Sequence, residues 1–327
     1  MSATSTTAAD ARSFQNGGRV QSFVKRLRSG DEIAYAITFL CACAVIAITV
    51  LLVFELYLHS ALTRQKFSWA FLVTSTWDPV AGQFGALPFI YGTAVTSALA
   101  MIISIPLGVG AAIFLAELAP PMLSSGLTFL IELLAAVPSV IIGLLGVFVM
   151  IPILRTIEPG IEAALGWTPL FQGPFYGVSI FTAGVVLALM ILPFIISISR
   201  EVILAVPNDQ REGALALGAT RWESTWKVVV PFARKGIAGS IFLALARALG
   251  ETMAVTMVVG NDPKIAHSLL APGYSIAAVI ANEFTEATGD LYQSALIELG
   301  LVLFGVTIVI NGAARLLVMT TNRKGMS

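Results

Sequence analysis

Residues 89–116 read FIYGTAVTSALAMIISIPLGVGAAIFLA, 28 residues without one charge. A helix rises about 1.5 Å per residue and a bilayer's hydrocarbon core is about 30 Å thick, so about 20 such residues suffice to cross it. Five more runs of this kind lie at residues 33–58, 127–154, 178–199, 236–259 and 291–318. Pro106, Pro138, Pro152 and Pro193 fall inside these runs. In water each would break its helix, whereas in a bilayer neighbouring helices and local adjustments satisfy the freed carbonyls. The expected fold is therefore all-α, a polytopic membrane protein with six transmembrane helices.

Composition agrees. Of 327 residues, 57% are apolar and 12% charged, about half the charged share of a soluble domain. Nineteen basic and 19 acidic residues cancel, so the basic excess of a nucleic-acid binder is missing. Cys41 and Cys43 sit two apart in one apolar run, roughly 200° apart around a helix, and cannot bond to each other. His59 and His267 stand away from any Cys/His/carboxylate cluster, so the sequence assigns no metal and no catalytic group.

Lys25, Arg26 and Arg28 precede the first run as the basic end of a signal peptide would, but its 26 residues exceed a signal core, which has about 7 to 15. The run reads as a retained span. Residues 1–28 form an expected disordered cytosolic tail, rich at its start in Ser, Thr, Ala and Gly. Residues 29–327 form the membrane domain. Five basic residues precede the first run. Six lie between the fourth and fifth (Arg200, Arg211, Arg221, Lys227, Arg234, Lys235), and Arg315, Arg323 and Lys324 lie at the end. Only Arg64, Lys66, Arg155 and Lys264 fall in the opposite loops. The positive-inside rule then puts both termini in the cytoplasm. Trp69, Trp77, Trp167 and Tyr176, in those opposite loops, suit an interfacial aromatic belt.

The connection at residues 200–235 is more than a turn. Pro207, Asn208 and Asp209 start a helix, and Gly218 suits its C-terminal end. Thr220 and Glu223 have capping-box spacing for a second helix, which Pro231 is expected to end. This helix-turn-helix is tethered to spans on both sides and is not strongly basic, which argues against DNA binding.

Glu212-Gly213-Ala214, then Gly218, then Pro231 after the apolar residues 228–230 resemble the EAA loop of ABC-importer permeases, with Gly213 replacing the usual second-position Ala. Trp77-Asp78-Pro79, Phe84-Gly85, residues 87–93 and Thr96-Ser97 are similar to the entry into the second span of the phosphate-specific branch, especially its C-type subunit. Ala136-Val137-Pro138-Ser139-Val140 and Arg247-Ala248-Leu249-Gly250-Glu251-Thr252 resemble that branch's third and fifth spans. The likeness covers about residues 25 to 320. It implies a type I ABC-importer permease in a bacterial inner membrane, with the loop docked on an ATPase. It also implies a second related permease, two ATPase copies and an external phosphate-binding protein as partners.

Arg247 demands an explanation independently. It lies 12 residues beyond Lys235, about 18 Å along a helix and so near mid-membrane, where a charge costs at least about 2.5–3.5 kcal/mol. Glu251, four residues on, is expected to share its helix face and pair with it. Two readings follow: a salt bridge that fixes helix packing, or a guanidinium that meets an anion in transit with Glu251 tuning it. The fixed fork of Arg suits phosphate. Thr93, Ser97, Ser139 and Thr252 are candidate hydroxyl donors along the same path, each also explicable as a packing hydroxyl. Glu132 and Glu298 also lie within spans, and a buried protonated carboxyl is their simplest reading.

The chain has no Gly-Lys pair, hence no phosphate-cradling GxxxxGK[ST]. It is expected not to be an enzyme and to hold no cofactor, with ATP and Mg bound by the partner ATPase. Two rival functions remain: a permease of the same class for sulfate or molybdate, and a secondary transporter or channel that uses no ATP.

Overall fold

The computed structural model describes residues 31–324, so the tail expected over residues 1–28 lies outside the described residues. By contact the chain divides into a unit ending at Leu58 and a unit beginning at His59. The first holds all but the last residue of α1 (Asp31–His59), the first span.

In the second unit, α2 (Ala61–Phe67) and α3 (Ala70–Val73) lead into α4 (Leu87–Ile113), which a π-turn extends through Phe114–Leu118. After α5 (Pro121–Ala135) come α6 (Ser139–Leu145), a π-turn at Gly146–Met150 and α7 (Ile151–Leu165). The chain continues through α8 (Ile180–Leu204), α9 (Asn208–Ala216) and α10 (Arg221–Ser224), then a π-turn at Thr225–Val229 leads into α11 (Val230–Leu249). It ends with α12 (Met253–Val258), α13 (Ile276–Glu283) and α14 (Asp290–Lys324). Among the described residues, six stretches are long and apolar enough to cross a membrane: Ala34–His59, Leu87–Leu118, Ser139–Ala164, Ile180–Leu204, Arg221–Leu249 and Asp290–Leu316. The expected all-α, six-span architecture is present, and the described residues include no strand beyond two isolated bridges.

Three expectations need correction, all at prolines. The third span is Ser139–Ala164 rather than 127–154, because the chain breaks between Ala135 and Ser139 where Pro138 sits extended at φ −57°, ψ 139°. Arg155 consequently lies inside α7, not in a loop, and donates to the Tyr176 carbonyl. Pro231 does not end the helix begun at Arg221; the helix runs through it to Leu249. The cause is a repeated device. Each π-turn is followed by a proline six residues after its start, at Pro120, Pro152 and Pro231. In each, the N–H just before the proline bonds five residues back, from Ala119 to Phe114, Ile151 to Gly146 and Val230 to Thr225. A proline ring clashes with the carbonyl four residues back and supplies no N–H, and widening the preceding turn relieves both problems. The helix therefore continues through Pro152 and Pro231.

Close contacts fix the register of the bundle. The most extensive packing is between α4 and α8, which run parallel with Leu99 against Gly184 and Ile195 against Gly108. α11 and α12 run antiparallel to α8: Val202 packs on Gly236, the hydroxyls of Ser199 and Ser240 lie 2.7 Å apart, and Ser179 N–H donates to the Val258 carbonyl at 3.0 Å. Leu187, Ile191, Ala244 and Leu249 are among the buried residues this packing creates. Ile102, Phe129 and Phe148 face outward, as lipid permits and water does not. Towards the end where α4 and α14 begin, Phe84, Phe89 and Tyr292 surround Trp77, whose Nε1 donates to Glu283 at 2.9 Å. Burial there pushes the Tyr274 phenol up to about 12.

Candidate functional site

The apolar run expected over residues 236–259 is interrupted where the fifth span ends. α11 ends at Leu249, Gly250 to Thr252 are non-helical, and α12 restarts at Met253. Arg247 sits in the last turn before the gap, where the negative end of the helix favours a cation. Its guanidinium lies 4.5 Å from the ring centroid of Phe194 on α8. Phe194 is 14 residues from the start of α8 and 10 from its end, about 21 and 15 Å, so Arg247 lies near mid-bundle. It makes no hydrogen bond or ion pair among the described residues, and its Nε is shut from solvent without an acceptor.

The expected Arg247–Glu251 pair is therefore absent. Four-residue spacing aligns side chains only within one helix, and Gly250 interrupts it. Glu251 turns to the second half-helix instead, where its Oε1 accepts from Ala254 N–H at 3.3 Å.

The break just before the third span lies at the same level. α6 and α12 pack so closely that a Cβ on Gly143 would come within 3.2 Å of Ala254 Cα, while Gly146 faces Val258. Extending that parallel register back one turn brings Ser139, the first residue of α6, level with Gly250 to Thr252. By that register Ser139 shares a level with Glu251 and Thr252, one turn beyond Arg247, so the four flank two breaks at one depth. Thr93 and Ser97 are elsewhere. Ser97 lies about three helical turns from the level of Arg247 by the α4–α8 register, buried with its hydroxyl unpartnered. Thr93 is fully engaged, donating to Phe89 and accepting from Ile276 N–H at 2.9 Å. Its hydroxyl holds the 250–289 segment to α4.

The two carboxylates without a role separate. Glu298 is buried and stands 3.7 Å from Arg64 Nε, an ion partner that the sequence did not suggest. Glu132 is exposed on α5, outside the six spans, which corrects its reading as a buried group.

At 200–235 the turn is built as expected. Gly218 has φ +86°, Ala219 N–H bonds to Ala214 and Gly218 N–H to Leu215, which closes α9 with a Schellman motif. The Thr220/Glu223 capping box is formed in both directions. Glu212 and Gly213 are exposed and Ala214 is half-buried, beside exposed Leu217, Trp222 and Trp226. Sequence reasoning missed the contact that holds α9. Arg211 meets Glu117 of the α4 π-turn through Nε at 3.0 Å and NH2 at 2.7 Å, and also donates to the carbonyls of Ile203 and Val206. The signal available was an arginine beside the Glu212 motif and a lone acid at the end of an apolar run.

Residues 104–321 match the family described as binding-protein-dependent transport system inner membrane component. The chain is 46% identical over 301 residues to the phosphate transport system permease protein PstC of Mesorhizobium japonicum, covering 90% of this chain and 92% of that one. It is 48% identical over 260 residues to PstC of Xylella fastidiosa, covering 78% and 80%. To the probable phosphate transport system permease protein PstC of Methanocaldococcus jannaschii it is 36% identical over 295 residues, covering 88% and 93%. A solved structure of the MetNI methionine ABC transporter in an inward-facing conformation aligns with a TM-score of 0.48 at 15% identity, covering 73% of this chain and 98% of that one.

Proposed function

The chain belongs to the binding-protein-dependent transport system inner membrane components, and within them to the phosphate transport permeases called PstC; from that membership we propose that it is a permease subunit of an ATP-driven importer of inorganic phosphate in a bacterial plasma membrane. The observation that carries this reading is Arg247, a mid-bundle guanidinium with an unsatisfied donor at the gap between two half-helices. A charge at that depth is costly unless something compensates it, and a transiting oxyanion supplies acceptors in the geometry a guanidinium fork presents. Ser139 and Thr252 add hydroxyls where half-helices begin, at the positive ends of their dipoles. Glu251 weakens the hold on the anion so that it leaves, or accepts a proton from it. Ser97 serves nearer the entry. Thr93 is withdrawn from the contact set, because its hydroxyl is already used in both directions.

The tail at 1–28 and both termini lie in the cytoplasm, and the domain at 29–327 forms the path with a second, related permease. Two ATPase copies bind ATP and Mg, one docking against the 200–235 loop through Glu212, Gly213, Ala214 and Gly218. Pro231 lets that loop continue as one helix into the fifth span. An external binding protein delivers phosphate. The test is affinity purification followed by uptake into vesicles. An ATP-hydrolysing subunit is expected to co-purify, and labelled phosphate to accumulate only with ATP and without competition from sulfate or molybdate. Uptake driven by an ion gradient, or sulfate competing as well as phosphate, would contradict the reading.

A further inference from the structure

A cavity of about 560 Å³ opens between α5, the end of α8 and the π-turn after α4. One face of α5 supplies Ser125, Thr128, Phe129 and Glu132, spaced three, four and seven residues from the first, and α8 supplies Arg200 and Leu204, one turn apart. The second and fourth spans end here, at Leu118 and Leu204. The cavity thus lies at headgroup depth, on the end of the bundle that carries the 200–235 loop.

Two of its polar atoms are stranded. Arg200 Nε and Thr128 Oγ1 are both shut from solvent without a hydrogen-bond partner. Arg200 NH1 is taken by Glu201 at 2.9 Å, whose side chain is 71% exposed, but Nε is a donor only and needs an acceptor. Such groups are rarely left unpaired. Glu132, one turn beyond Thr128 on the same face, lines the same cavity and offers acceptor oxygens rather than donors. The cavity therefore asks for a ligand with acceptor oxygens at one end and a cationic donor at the other, about one helical turn (~5.4 Å) apart.

We propose that this cavity binds the headgroup of an ethanolamine phospholipid, with the phosphodiester on Arg200 Nε, Thr128 and Ser125 and the primary ammonium on Glu132. The two-carbon link between phosphate and amine is of the order of that turn, and Leu115, Phe129 and Leu204 give the glycerol region an apolar wall. A choline headgroup has no N–H to offer Glu132, a glycerol headgroup has no charge for it, and free phosphate meets it with like charge. The inference does not rest on Arg247 or on what the chain transports.

The test is native mass spectrometry of the purified complex, released from bilayer discs in which phosphatidylcholine is mixed with phosphatidylethanolamine or phosphatidylglycerol. The wild-type chain is expected to retain the ethanolamine lipid over the choline lipid by roughly ten- to hundredfold, the worth of a charge-assisted hydrogen bond. Arg200→Gln should lose retention, and Glu132→Gln should retain phospholipid while no longer telling ethanolamine from choline. If Arg200→Gln does not assemble, Ser125→Ala with Thr128→Val removes the phosphate's hydroxyl partners and should lose retention too. Equal retention of all three lipids by the wild type would overturn the proposal. So would displacement of the ethanolamine lipid by millimolar inorganic phosphate, which assigns the donors to the free ion.

Discussion

Arg211 and Glu117 carry the most direct consequence of the geometry. Their side chains are 18% and 11% exposed, so the pair is mostly desolvated, and removing one partner of such a pair costs about 3 kcal/mol. Glu117→Gln is expected to lower the thermal stability of the complex by that amount and to uncouple ATP hydrolysis from uptake, because α9 then loses its anchor on the second span. Arg211→Met with Glu117→Leu should recover most of the stability, since no charge is then stranded. Equal stability in the wild type and Glu117→Gln would show that the contact does not hold the loop. Legibility at single residues was uneven. Arg247 was found because its cost is visible in hydropathy alone. Its partner was misassigned because four-residue spacing presumes an unbroken helix, and Gly250 ends it. Arg211 was passed over because no short-range pattern links it to a carboxylate 94 residues earlier.

The helices themselves were legible, and their interruptions were not. Apolar length found six spans but misplaced the third, because the break before Ser139 lies inside one long apolar run, and the three π-turns leave no trace in composition. Proline spacing was the available signal, but whether a proline breaks a helix or is absorbed depends on the turn before it. The cap at Gly218 was readable, because a glycine just past a helix-compatible stretch suits the left-handed position that closes a helix. Gly218→Val is expected to cost about 1–2 kcal/mol in local backbone strain and, with Glu212→Lys, to weaken ATPase association in a pull-down. Association and ATP-driven uptake that both survive the double change would remove the docking role from α9.

As a whole, the chain puts Ser199–Ser240 at one end and Ser179–Val258 at the other, with Arg247 over Phe194 between them. The basic residues at 200–235 set the expected orientation. With Cys41 and Cys43 replaced by Ser, single cysteines at Asn16 and Asn322 should react with impermeant reagents only from the cytosolic side, and labelling of either from outside would reverse the topology. Arg247 alone separates anion transport from helix packing. The decisive measurement is ATP-driven phosphate uptake into vesicles containing the assembled importer, wild type against Arg247→Gln and Arg247→Gln with Glu251→Gln. Both variants are expected to assemble, since no ion pair is broken, and both to lose uptake by at least about tenfold, the least expected for one lost charge-assisted contact. Normal uptake by the double variant would contradict the role given to Arg247.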